Sequence, residues 1–102
     1  MIGIIEQHRG ALFDLCRRYG VRRLDLFGSA AKGTFDADAS DLDFLVDFDN
    51  LTVHDAADRY FGLLNDLEDL FGRKVDLVSA RAIRNPYFRQ AVDRTRVTLY
   101  AA

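Results

Sequence analysis

LFGSAAKGTFDADASDLDFLVDF, residues 26–48, is the stretch on which the reading of this chain turns. At its far end, Asp41 to Phe48 alternates. Leu42, Phe44, Val46 and Phe48 fall on one side of an extended chain, with Asp41, Asp43, Leu45 and Asp47 on the other, which predicts a strand. At its near end, Leu24 and Leu26 alternate with Asp25, so Val21 to Phe27 reads as a second strand running into the turn Gly28-Ser29. Glycine there lets the backbone turn sharply and approach a ligand closely. Ala30 and Ala31 then favour a helical turn that Ser29 opens.

The flanking segments supply the rest of a domain. Ile4, Ile5, Ala11, Leu12, Leu15, Cys16 and Tyr19 recur at spacings of three and four, predicting a helix from Ile4 to Tyr19 that Gly20 ends. His8 falls on the same stripe, where a half-buried histidine with a local partner is the expectation. Thr52 and Asp55 resemble a capping box opening a long helix whose apolar face includes Tyr60, Leu63, Leu64, Leu67, Leu70 and Phe71, with Gly72 as its stop. Lys74 to Ser79 reads as a third strand and Ala80 to Arg84 as a short helical turn. Asn85-Pro86 fits an N-cap followed by proline at the first position of a helix reaching about Arg94. Arg96 to Tyr100 closes the chain as a fourth strand. The expectation is an α/β or α+β domain spanning residues 1–102, with one small mixed sheet of about four strands flanked by helices.

Composition narrows the function classes. Of 102 residues, 49% are hydrophobic and 29% charged, as in an ordinary globular domain. A formal net charge of -2 and a pI near 5.6 argue against general nucleic-acid binding. Cys16 is the one cysteine, so no intrachain disulfide forms, and its place on the apolar stripe predicts a buried structural thiol. No run reaches the roughly 20 apolar residues of a membrane span, and the N-terminus lacks the pattern of a secretory signal. A cytoplasmic protein is therefore expected. Core packing is the simpler assignment for most of Phe61, Tyr87 and Phe88, with a partner interface as the alternative.

The acids carry the chemistry. Asp41 and Asp43, two apart on a strand, project from one face, where their repulsion is costly unless a cation lies between them. An oxygen-only ligand set suits Mg²⁺ or Mn²⁺. Asp76, between Val75 and Leu77, points away from its apolar neighbours; a third strand beside the second would bring it to the same place. Three such carboxylates can hold two metal ions for phosphoryl or nucleotidyl displacement. Each piece also has a plain reading, as solvated acids near a strand start or as an ordinary turn. A calcium loop competes, since Asp36, Asp38, Ser40 and Asp47 occupy positions 1, 3, 5 and 12 of its frame. Asp41 stands where that loop needs glycine, however, and a strand follows instead of a helix.

Taken together, residues 26–48 resemble the signature of the DNA polymerase beta-like nucleotidyltransferase superfamily, a Gly-Ser turn followed by an Asp-x-Asp strand. The short chain, the acid in KVDLVS and the ending NPYFRQAVDRTRVTLY resemble its minimal nucleotidyltransferase (MNT) group, over about Tyr19 to Tyr100. The resemblance implies that fold. It also implies that Gly28 and Ser29 contact a nucleoside triphosphate, and that Asp41, Asp43 and Asp76 bind magnesium, with Asp76 assisting deprotonation of the attacking hydroxyl. Lys32 replaces a common arginine as a phosphate contact, keeping the charge but losing the bidentate fork. Ser40 also matches relatives. The implied reaction is transfer of AMP from ATP to a tyrosine of a HEPN-domain toxin, which makes the chain the antitoxin of a toxin–antitoxin pair. A silent antitoxin acting by binding alone, and an enzyme modifying a small hydroxylated molecule, are the competing readings. The chain is expected to lack the acceptor-binding domain of larger members, and a further oligomeric state is open.

Overall fold

Val21–Phe27 forms β1 and Leu42–Phe48 forms β2, an antiparallel pair in which Leu24 faces Val46, Leu26 faces Phe44 and Phe27 faces Asp43. The computed structural model describes residues 3–32, 41–49 and 53–102, excluding the side chains of Lys32, Val53 and His54. Between the two strands, the four-residue helix α3 (Ser29–Lys32) opens directly after the Gly28 turn. Thr52 of the expected capping box lies outside the described residues.

The helix α4, Val53–Phe71, carries the chain from β2 to β3, Val75–Ser79. Its 19 residues rise about 28 Å, long enough to return the chain for a parallel pairing with β2. A 3₁₀ turn at Ala80–Ala82 precedes α5, Pro86–Thr95, and β4, Val97–Ala101, pairs antiparallel with β1. The mixed sheet has the order β3-β2-β1-β4. As expected of an N-cap, the Asn85 side chain accepts from the amides of Tyr87 (2.9 Å) and Phe88 (3.3 Å).

One helix expected over Ile4 to Tyr19 is in fact two, α1 (Gly3–Gln7) and α2 (Arg9–Arg18). The break has a local cause at His8. Its ring Nδ1 donates to the Ile4 carbonyl at 2.8 Å, the acceptor that an unbroken helix would give to the His8 amide, and that amide bonds Ile5 instead. The half-buried ring also meets Phe71 edge-on, giving His8 the structural role anticipated for it.

Both sheet faces are covered, unequally. The even-numbered residues of β2, with Leu24, Leu26, Val75 and Leu77, pack against Ile5, Leu12, Leu15 and Cys16 from α1 and α2 and Leu63, Leu67 and Phe71 from α4. Burying each of the larger side chains contributes on the order of 1.5–3 kcal/mol. Cys16 is fully buried, and desolvation pushes its thiol up to about 12, consistent with an inert core residue. On the other face only Phe27, Leu45 and Val92 form a small cluster under α5. That thin cover leaves one end of the face open, and the acids stand there.

Phe61, Tyr87 and Phe88 do not pack as expected. They are 58%, 81% and 40% exposed, because the core sides of α4 and α5 are already filled by Leu63 and Leu67 and by Val92.

Candidate active site

Strand register decides which acids meet. Asp43 is paired with Phe27 on β1 and with Asp76 on β3, so the two carboxylates leave the same face as direct neighbours across parallel strands. Asp76 is exposed, flanked by buried Val75 and Leu77, as its position in the strand predicts. Asp41, also exposed, immediately precedes β2.

The Gly28 turn touches the same acid. Gly28 has φ of 72°, and a Cβ added there would lie 2.4 Å from Asp43 Oδ2. The position therefore requires glycine twice, for its backbone conformation and for the carboxylate against it. Its amide donates to Thr95 Oγ1 at 3.0 Å, which pins the turn to the last turn of α5. Phe88 of α5 also meets Phe27 edge-on, with ring centroids 6.1 Å apart.

Electrostatics separates these acids from others in the molecule. Asp25 is fully buried but sits between Arg23 Nε (3.0 Å) and Arg96 Nε (2.7 Å). Asp47 meets Arg81 and Arg22, and Asp66 meets Arg18. Among the described residues, neither Asp41, Asp43 nor Asp76 has a basic partner within ion-pair distance. Burial first, then the charges of Asp76 and Asp41, raise the Asp43 carboxyl above the usual carboxylate value. Among the described residues, negative charge is concentrated here without a basic partner.

The convergence is nevertheless looser than expected from sequence. Among the described residues, no three His, Cys, Asp or Glu side chains form a ready metal-holding group. Asp43 and Asp76 are brought together by register, whereas Asp41 occupies the exposed approach to β2, and mutual repulsion opposes closer gathering. Ser40 and the side chain of Lys32 lie outside the described residues, as do Asp36 and Asp38 of the calcium frame. Asp47, position 12 of that frame, is inside a strand that continues to Phe48 and is held by Arg81.

Two supporting elements escaped the sequence reading. Thr95 gave no signal, since its role depends on where α5 ends relative to Gly28. The Arg23–Asp25–Arg96 network had a weak one: Asp25 shares a strand face with Phe27, and an acid on a covered face needs a partner.

A mixed four-stranded sheet with paired acids on neighbouring parallel strands beside a glycine turn defines a class. The family model for the nucleotidyltransferase domain matches residues 9–98, and the chain belongs to that family and is a nucleotidyltransferase. It is 34% identical over 90 residues to a Methanocaldococcus jannaschii protein provisionally named a protein adenylyltransferase, covering 88% of this chain and 85% of the relative. A solved structure provisionally described as a minimal nucleotidyltransferase is 37% identical, with a TM-score of 0.67 over 91% of this chain and 90% of that one. Within the family, the chain falls in this minimal group. A crystal structure of a toxin–antitoxin with AMP-PNP is 25% identical, with a TM-score of 0.69 over 92% of this chain and 73% of that one. Among the described residues, no helix is long and apolar enough to cross a membrane.

Proposed function

We propose that this chain transfers AMP from ATP to a tyrosine hydroxyl of a HEPN-type toxin and so serves as the antitoxin of a toxin–antitoxin pair. The observation that carries this reading is the in-register pair Asp43–Asp76 beside the Gly28 turn. The relative named for protein adenylylation and the toxin–antitoxin neighbour with AMP-PNP support the choice of nucleotide and acceptor.

The donor set fits a hard divalent cation. It is all oxygen, it has no arginine or lysine partner among the described residues, and it raises the Asp43 carboxyl in a way that a bound cation would reverse. Asp41, Asp43 and Asp76 would hold Mg²⁺, two ions in the arrangement expected, with Mn²⁺ chemically equivalent. When bound, the metal supplies neutralisation of the triphosphate and of the charge developing in displacement.

The chain's own residues orient the rest. Gly28 lets the backbone pass close to the triphosphate, and Ser29 with the amides opening α3 holds phosphate oxygens. Lys32 and Ser40 would add contacts from the segment beyond. The acceptor hydroxyl oxygen attacks the α-phosphorus, forming one P–O bond as the bond to the β-phosphate oxygen breaks and pyrophosphate leaves. Its proton passes to a carboxylate oxygen of Asp76, which is exposed and so within reach of an acceptor carried by another protein. Positioning and electrostatics contribute most of the rate.

The test mixes the protein, ATP and Mg²⁺ with a candidate toxin and weighs both chains intact. One or more AMP moieties on a toxin tyrosine, absent with Asp41→Asn/Asp43→Asn, is the expected result. No adduct with the native chain, and toxin inhibition that survives the double variant, would replace this reading with an antitoxin acting by binding alone.

A further inference from the structure

Residues 80–96 carry five arginines against one aspartate, a net charge of +4 in a chain whose formal net charge is -2. The remainder of the chain therefore carries -6. This basic segment comprises the 3₁₀ turn and α5, the element bound to the candidate active site through Thr95 to Gly28 and through Phe88 to Phe27. Among the described residues, three of its guanidinium groups make no ion pair with a carboxylate. Arg84 donates to backbone carbonyls of Arg81 and Ile83, and Arg89 donates to that of Ala80. Arg94 has no ion-pair partner among the described residues. Arg81 and Arg96, in contrast, are committed to Asp47 and Asp25.

Arg84 lines an apolar hollow of about 400 Å³ together with Val78, Ala82, Ile83, Asn85 and Phe88, while Arg89 and Arg94 line a second hollow on α5 with Pro86, Tyr87, Gln90 and Asp93. Val78 is two residues beyond Asp76 on β3 and so points to the same sheet face. The first hollow thus opens along the strand from the acid that the proposed reaction uses as its proton acceptor. Tyr87, 81% exposed, stands next to Phe88 at the start of α5.

We infer that α5 and the 3₁₀ turn form the acceptor-docking surface, seating an aromatic side chain of an acidic protein segment. This inference rests on the function proposed above. Val78, Ile83 and Phe88 provide an apolar wall for the ring, while Arg84, Arg89 and Arg94 attract flanking carboxylates. Nucleic acid is the less suitable occupant. Arg89 and Arg94 are five residues apart on α5, so they turn to different sides of the helix instead of forming a phosphate-tracking rail, and Asp93 interrupts them. Protein recognition also accounts for the hollow, which a backbone-binding surface would not require.

The experiment uses fluorescent random copolymers as stand-ins: poly(Glu,Tyr), poly(Glu,Ala) and a single-stranded oligonucleotide, with binding followed by anisotropy. Poly(Glu,Tyr) is expected to bind best, and Arg84→Glu/Arg89→Glu/Arg94→Glu to weaken it at least tenfold. Thermal unfolding and binding of a non-hydrolysable ATP analogue should remain at their native values, reporting an intact fold and nucleotide site. Poly(Glu,Ala) binding as tightly as poly(Glu,Tyr) would overturn the aromatic seat. Unchanged affinity in the triple variant, absence of copolymer binding, or preference for the oligonucleotide would overturn the docking surface. Transfer of labelled AMP is scored separately: bound poly(Glu,Tyr) and bound nucleotide with no transfer to any hydroxyl would refute the enzymatic reading while leaving the surface standing. The milder Arg94→Gln alone, at a side chain with no ion pair among the described residues, should weaken poly(Glu,Tyr) binding by about threefold.

Discussion

Gly28→Ala should disable the enzyme out of proportion to its effect on the fold. At φ of 72°, an L side chain costs roughly 1–2 kcal/mol. The added methyl would also lie 2.4 Å from Asp43 Oδ2 and 3.3 Å from its Cγ, so the carboxylate must rotate or β1 and β2 must separate. Pushing Asp43 off its rotamer adds about 1 kcal/mol. The total, about 2–3 kcal/mol, corresponds to a fall in Tm of roughly 10–20 °C for a domain of this size. A displacement of about 1 Å in a group that positions the reaction costs on the order of 10²-fold in rate. Gly72→Ala is the control, because Gly72 has nearly the same φ, 62°, with nothing within 4 Å of its added methyl. Melting curves and AMP transfer, both measured well below each Tm, separate the two effects. Gly72→Ala should lose stability and keep its activity. If Gly28→Ala transfers AMP as well as Gly72→Ala does, the contact between turn and acid has no part in catalysis.

Asp43→Asn should abolish transfer yet stabilise the metal-free protein at pH 7 by on the order of 1 kcal/mol, read as a higher Tm; the exposure of Asp76 keeps the repulsion near the solvent-screened limit. Because the folded carboxyl is raised above its unfolded value, native Asp43 favours folding below the unfolded pKa, and that contribution is lost as pH rises through the folded value. The gain from Asn should therefore shrink on acidification toward about pH 4, and a gain that grows instead would contradict the assigned shift. Arg96→Ala strips one of two partners from the fully buried Asp25 and should cost about 3 kcal/mol in urea unfolding, whereas a cost under 1 kcal/mol would mean that Arg23 alone suffices. Thr95→Val leaves the Gly28 amide without its acceptor and should raise the KM for ATP more than it lowers kcat, with Thr95→Ser restoring both; equal effects from Ser and Val would deny the hydroxyl a positioning role.

Much of this was legible in the sequence because it depended on local periodicity. The alternation in LDFLVDF fixes which side Asp43 occupies, and the Asn85-Pro86 pair marks the start of α5 through an interaction confined to four residues. Pairing was not local. That Asp43 lies opposite Asp76 follows from a parallel register set by the length of α4, which spacing alone suggests but cannot specify. The helix break at His8 was hidden because the residue fits the apolar stripe, and only its ring bond to Ile4 reveals the interruption. Tyr87 and Phe88 misled for the opposite reason. Apolar character predicts burial, but α5 has a narrow seat on the sheet, where Val92 is its one buried residue and Phe88 meets Phe27 only edge-on. The burial of Asp25 was not legible because one of its two arginines, Arg96, comes from the far end of the chain.

The central claim is that the Gly28 turn and the Asp43–Asp76 pair serve attack at the α-phosphorus. Two samples of ATP, radiolabelled at the α- or the γ-phosphate, are incubated with the native chain, Mg²⁺ and an acceptor protein, and the label is followed on the acceptor and in released pyrophosphate. The account predicts label on the acceptor from α-labelled ATP alone, γ-label only in pyrophosphate, and neither after chelation of the metal or with Asp43→Asn. Transfer of the γ-label to the acceptor, or α-label transfer that persists in Asp43→Asn, would contradict it.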